Sequence, residues 1–107
     1  MTANIIVFTA AEGDQYKRHI DLRAGSYVFA GPEDPAAGPL KLHTARCMHV
    51  RDNKTAALIG PGEMRVVGPT ARDLYSWLTA DEARSGQATQ ACQSCKTAEL
   101  VRRYAHQ

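Results

Sequence analysis

The 107-residue sequence has no hydrophobic run long enough to cross a bilayer, which takes roughly 20 consecutive apolar residues. The N-terminal MTANIIVFTAAEGD has no basic residue ahead of its short apolar run, so it does not read as a secretory signal. Charge of one sign is also scarce. Thirteen Lys and Arg stand against eleven Asp and Glu, and a net charge of +2 is too mild to imply nucleic-acid binding by itself. Aromatic residues make up only 7%. Three cysteines cannot all be used in a disulfide framework. A reducing cytoplasm is therefore the expected compartment, where a Cys-x2-Cys pair binds metal or does redox chemistry more often than it forms a structural bridge. No Ser/His/Asp or paired-carboxylate arrangement is legible, and Gly60-Pro61-Gly62 lacks the following Lys-Ser/Thr of a phosphate loop, so an enzyme is not expected.

What is present reads as one domain over 1–107, β-rich over 1–68 and helical over 70–106. Ile5–Phe8 is a short run rich in β-branched residues. Tyr16, Ile20 and Leu22 fall on one side of an alternating pattern, and Arg23-Ala24-Gly25 leads on to Ser26–Ala30, so 16–30 is expected to be a hairpin. The Pro- and Gly-rich stretch 31–39 is a loop, and Leu40–His43 is extended. Ala56–Ile59 and Met64–Val67 flank Gly60-Pro61-Gly62-Glu63 as a second hairpin candidate. Beyond Pro69, Thr70 is a natural N-cap, and Ala71, Leu74 and Leu78 recur at helical spacing with Trp77 beside them. Thr79-Ala80-Asp81-Glu82 fits a capping box for another helical turn stopped by Gly86. A last helix is expected from Gln93 to about His106, with Ala98, Val101, Tyr104 and Ala105 on one side. The fold class is therefore α+β, with N-terminal hairpins followed by C-terminal helices.

Chemistry concentrates in two half-sites, His43-x3-Cys47 and Cys92-x2-Cys95. Zinc takes four tetrahedral ligands, and thiolate and imidazole suit it. Three cysteines and one histidine make a closed Cys3His set, whose role is structural because no coordination position is left open. A second histidine, His49, lies two residues past Cys47 and competes for the fourth place. Other readings are a buried core Cys47, a thioredoxin-like redox pair and an iron–sulfur cluster. The redox pair would sit between strand and helix, whereas polar Gln87–Gln90 precedes Cys92 here, and the cluster would ask for four cysteines.

The segment Lys41–Val50 (KLHTARCMHV) resembles the front half of the Ada-type metal-binding module. Residues 79–86 (TADEARSG), followed by Cys92-Gln93-Ser94-Cys95-Lys96, resemble its back half. The likeness spans about residues 41–106 and implies zinc bound by His43, Cys47, Cys92 and Cys95, with His43 preferred to His49. It departs from the family where Ala88-Thr89-Gln90-Ala91 replaces an aromatic-Arg-Pro approach. The 44 residues between Cys47 and Cys92 are also more than the family pattern leads one to expect. The family's methyl-accepting cysteine corresponds to His43, which is no comparable sulfur nucleophile, so that activity does not carry over.

The resemblance implies association with nucleic acid, as a transcription-related regulatory domain. Lys41, Arg46, Arg51 and Lys54 near the first half-site, with Lys96, Arg102 and Arg103 on the last helix, are the candidate phosphate contacts. Asp52, Asp81, Glu82 and Glu99 dilute that patch. The alternative is a module that docks on a larger protein through Tyr27, Phe29, Tyr75 and Trp77, unless these fill the core.

Overall fold

The computed structural model describes residues 4–51 and 59–105. The chain is α+β: a five-stranded sheet of order β1-β4-β2-β3-β5 carries helices on both faces. Strand β1 (Ile6–Thr9) lies at one edge and pairs antiparallel with β4 (Glu63–Gly68). Strand β2 (Tyr27–Pro32) lies between β4 and β3 (Leu40–Thr44), antiparallel to both. Strand β5 (Thr89–Ala91) closes the far edge, parallel to β3.

The expected hairpin over 16–30 is not formed, because 13–22 is helix α1 (Gly13–Leu22). Tyr16 and Ile20 are four residues apart, a spacing that satisfies periods of two and of 3.6 alike. Leu22 separates the two patterns. A strand would bury it beside Ile20, whereas the helix leaves it 80% exposed. Glu12 fixes the helix entry by accepting from the Thr9 backbone N–H at 2.9 Å and its hydroxyl at 3.0 Å. A second helix, α2 (Met48–Arg51), follows Cys47, so the described residues of the stretch expected to be β-rich hold two α-helices among four strands.

The first strand of the second expected hairpin falls largely outside the described residues. Residues 56–58 lie outside the described residues, Ile59 is a buried bend, and Met64–Val67 pair with β1 and β2. The intervening turn does form: Glu63 N–H donates to Gly60 O at 3.0 Å, and Gly62 adopts φ 76°, where a Cβ would be strained.

Helix α3 (Ala71–Ala80) starts as its sequence requires, with the Thr70 hydroxyl accepting from Asp73 N–H at 3.1 Å. The capping box after it is not used. Thr79 lies inside α3 and donates to Tyr75 O, while Asp81 accepts from Ala83 N–H in a turn. Residues 89–91 are strand rather than a plain lead-in, and helix α4 (Ala98–Tyr104) begins five residues later than expected, after a turn over 93–96.

Alternation along the central strands splits the core in two. Phe29, Leu40, Leu42, Met64 and Val66 face α3, with Leu100, Val101 and Tyr104 of α4 packed against them. Ala98 and Ala105, expected on that side of α4, are exposed. On the opposite face Phe8, Val28, Val67, Tyr16, Ile20 and Val50 pack together, and Cys47 and Cys92 belong to this second cluster.

Candidate metal centre

β3 ends beside the first half-site. His43 sits one residue before its end, and a tight turn closed by Cys47 N–H on Thr44 O at 3.0 Å brings Cys47 to the start of α2. The second half-site is tied to the same strand. Leu42 O accepts from Cys92 N–H at 3.3 Å and from the Thr97 hydroxyl at 2.7 Å. That hydroxyl accepts in turn from Cys92 N–H at 3.1 Å, so one fully buried side chain joins the Cys-x2-Cys turn to β3. Lys96 turns the chain back into α4 with φ 57°. Nothing in the ligand motif marked Thr97, although Ser or Thr just ahead of a helix is a capping signal.

The donor atoms of His43, Cys47, Cys92 and Cys95 all lie within 4.8 Å of one another, 45 residues or more apart in sequence across the two halves. This is a cluster able to hold a metal ion. Its geometry can be tested against ligand chemistry. Metal–sulfur bonds of about 2.3 Å at tetrahedral angles put two sulfurs about 3.8 Å apart. Cys47 Sγ and Cys92 Sγ are 3.8 Å apart. Nδ1 of His43 is buried and makes no hydrogen bond, so among the described residues the ring has a nitrogen without a partner. Thr44 N–H points at Cys95 Sγ from 3.4 Å.

The electrostatics favour the ligating forms. Burial, with Arg65, His49 and Lys41 nearby, lowers the His43 pKa to about 4, so its ring is neutral at pH 7. Burial also opposes ionisation of Cys92. Backbone N–H groups of Cys95 and Ser94 outweigh it, helped by the neighbouring thiols, and bring Cys92 down to about 7. Cys47 is pushed up to about 12 by burial and by the adjacent thiols of Cys92 and Cys95. Three packed thiols resist ionising together unless a cation compensates the charge.

His49 is a fifth donor at the cluster. Its Nδ1 lies 3.4 Å from Cys47 Sγ and 3.8 Å from Cys92 Sγ, with the His43 and His49 rings 6.2 Å apart. β5 also supplies a strand ahead of Cys92, so the Cys-x2-Cys does lie between strand and helix, contrary to expectation. The presence of Cys47 and His43 within the same cluster is what separates it from an isolated redox pair.

The candidate phosphate contacts are scattered. Lys41 emerges on the sheet face that carries His43, and Arg46 and Lys96 are exposed on the turns beside the cluster. Arg51 faces Asp21 at 3.6 Å. Arg102 and Arg103 extend from α4, which packs on the opposite face, and Arg103 pairs with Glu99 at 3.4 Å. Lys54 lies outside the described residues. Of the aromatic candidates, Phe29 and Tyr75 are buried edge-to-face with centroids 5.1 Å apart, and Tyr27 and Trp77 pack against the same cluster. Among the described residues no helix is long and apolar enough to cross a membrane. The chain matches no protein-family model, no curated protein and no solved structure at a significant level.

Proposed function

We propose that His43, Cys47, Cys92 and Cys95 hold one zinc ion in a structural role, within a small regulatory domain that has no enzymatic activity and associates with nucleic acid. The observation that supports the zinc most directly is the convergence of the four donors within 4.8 Å, with a sulfur–sulfur separation of 3.8 Å. A set of three thiolates and one imidazole fills a tetrahedral shell and suits zinc over harder ions. The ion clasps the end of β3 and the start of α2 to the turn between β5 and α4. The role is that of a staple for a domain with a modest core.

The nucleic-acid reading rests on the resemblance to Ada-type modules and on Lys41, Arg46 and Lys96 around the clasp. Docking on a larger protein is the second reading. It has less support, since Phe29 and Tyr75 are core residues here and are not free to act as anchors.

Metal analysis of the wild type beside Cys92→Ser tests the zinc. About one zinc per chain is expected in the former and a large loss in the latter. A metal-free but well-folded wild type, purified without chelator, overturns the clasp. For the partner, affinity for a nucleic-acid duplex is expected to fall steeply with salt. No binding at low salt removes that half of the proposal.

A further inference from the structure

A cavity of about 320 Å³ lies where β1 begins, β4 ends and the last turn of α1 passes over them, and it shares no residue with the cysteine cluster. Its volume is at the lower end of the range for small-molecule sites. The strand register supplies an apolar floor. Ile6 of β1 and Val67 of β4 are cross-strand partners, so they point to one face, the face on which α1 packs. β1 is an edge strand, which leaves Ile6 39% exposed. Pro69, just past β4, extends the floor. His19 and Arg23, at the end of α1, form the polar wall, with Arg23 Nη1 3.2 Å from His19 Nδ1.

A guanidinium only donates, so His19 Nδ1 accepts from it and the ring proton sits on Nε2. Arg23 is exposed and has further N–H groups beyond the one on His19. Among the described residues no carboxylate pairs with it, and none lines the cavity. Asp21, two residues earlier, is answered by Lys17 at 3.0 Å and Arg51 at 3.6 Å. Ser26 points to a ligand independently. It is only 8% exposed, its backbone N–H donates to Arg23 O at 2.9 Å, and its carbonyl accepts from Ala45 N–H at 2.9 Å. Among the described residues its hydroxyl has no hydrogen-bond partner, although the residue lines the cavity. It is a donor that the fold itself does not use.

We propose that this cavity binds a small organic monocarboxylate, its carboxylate on the Arg23 guanidinium and the Ser26 hydroxyl and its apolar tail over Ile6, Val67 and Pro69. A planar guanidinium takes both oxygens of a carboxylate side by side. One cation answers one negative charge, so a monocarboxylate suits the site better than a phosphate group, which carries about −1.5 to −2 at pH 7. The apolar floor selects a short aliphatic or aromatic tail over a second polar group. The negative end of the α1 dipole opposes an anion here and keeps the affinity modest, while the Arg23 N–H caps Ile20 O at 3.1 Å. The site stands apart from the zinc reading and does not rest on it.

The test uses the full chain and NMR titrations with benzoate, hexanoate, acetate, benzamide and inorganic phosphate. Benzoate or hexanoate should bind 1:1 with a Kd of about 1 mM, as suits so small a ligand. Shifts should concentrate at His19, Arg23 and Ser26. Acetate, which lacks the tail, and benzamide, which lacks the charge, should each bind at least about tenfold more weakly. Arg23→Gln should weaken benzoate binding at least about tenfold, and Arg23→Lys by less, because it restores the charge without the fork. Ser26→Ala should cost about threefold to tenfold. All three variants should keep the wild-type unfolding temperature, since Arg23 is exposed and alanine keeps the backbone bonds of Ser26. Absence of saturable binding by both benzoate and hexanoate up to about 20 mM overturns the proposal. So does benzoate binding that Arg23→Gln leaves unchanged, or benzamide binding as tight as that of benzoate, which would reveal an apolar crevice only. Phosphate binding more tightly than benzoate overturns the assignment to a carboxylate.

Discussion

Two histidines compete for one coordination position, and their substitution gives the most discriminating test of the clasp. Zinc–sulfur bonds of about 2.3 Å and zinc–nitrogen bonds of about 2.05 Å put a ligating nitrogen about 3.6 Å from each sulfur in a tetrahedron. His49 Nδ1, at 3.4 and 3.8 Å from Cys47 and Cys92, brackets that value although His49 is exposed. His43 is buried, and one of its ring nitrogens belongs to the four-donor set. If His43 is the resident ligand, His49 is placed to replace it. Structural zinc sites are worth roughly 10–16 kcal/mol, so one ligand in four carries about 3 kcal/mol, or about two orders of magnitude in affinity. His43→Ala should then lose only about tenfold, because His49 recovers much of the interaction. His49→Ala should lose less than about threefold. The double variant should lose about a hundredfold, more than the two single effects combined. Competition against a chromophoric chelator reads the affinities, and cobalt substitution reads whether the tetrahedral geometry survives. If His49→Ala matches the double variant while His43→Ala is silent, the assignment of His43 is wrong. If all three bind like wild type, neither histidine is a ligand.

Other consequences follow from the fold. Thr97→Val removes the hydroxyl that joins Cys92 N–H to Leu42 O, and should cost about 1–3 kcal/mol in denaturant unfolding even with metal chelated. Leu74→Ala opens a cavity between α3 and the sheet and should cost about 2–5 kcal/mol by the same measurement; a loss under about 1 kcal/mol would contradict its full burial. Thr70→Ala removes the α3 N-cap and should cost about 1 kcal/mol, whereas Thr70→Ser should be close to neutral. His19 packs its ring against Phe8, and burial, then the Arg23 charge, lowers its pKa below 6.5. Unfolded chains therefore bind that proton more readily, so His19 reduces stability as pH falls below about 6.5. An NMR titration midpoint for His19 at or above 6.5 would refute this.

How far local sequence carried the fold depends on how local the deciding force was. The helix at 71–80 was readable because its cap, its apolar spacing and the proline before it all lie within a dozen residues and agree. The helix at 13–22 was not, because Tyr16 and Ile20 satisfy both periods and the choice falls to a cluster that includes Val50, whose carbonyl accepts from the Tyr16 hydroxyl 34 residues away. Similarly, Met64–Val67 read as a strand, but its pairing with β1 and β2 was not legible. A strand's own pattern specifies which faces are buried and says nothing about which strand lies alongside. β5 escaped notice because three polar and small residues form a strand only where β3 offers them an edge.

The ligand set stands on the same divide. Residue type and spacing alone picked out Cys47, Cys92 and Cys95, since few roles other than metal binding use three thiols in that pattern, and they left two histidines open. Tertiary structure decided that the halves meet, through Leu42 O and Thr97, and that both histidines arrive at the thiols. It also put Lys41 and Arg65 in one row beside the cluster while carrying Arg102 and Arg103 to the opposite face. The chemistry of each side chain belongs to the sequence, whereas the company it keeps is set by sheet register and by the face each helix buries.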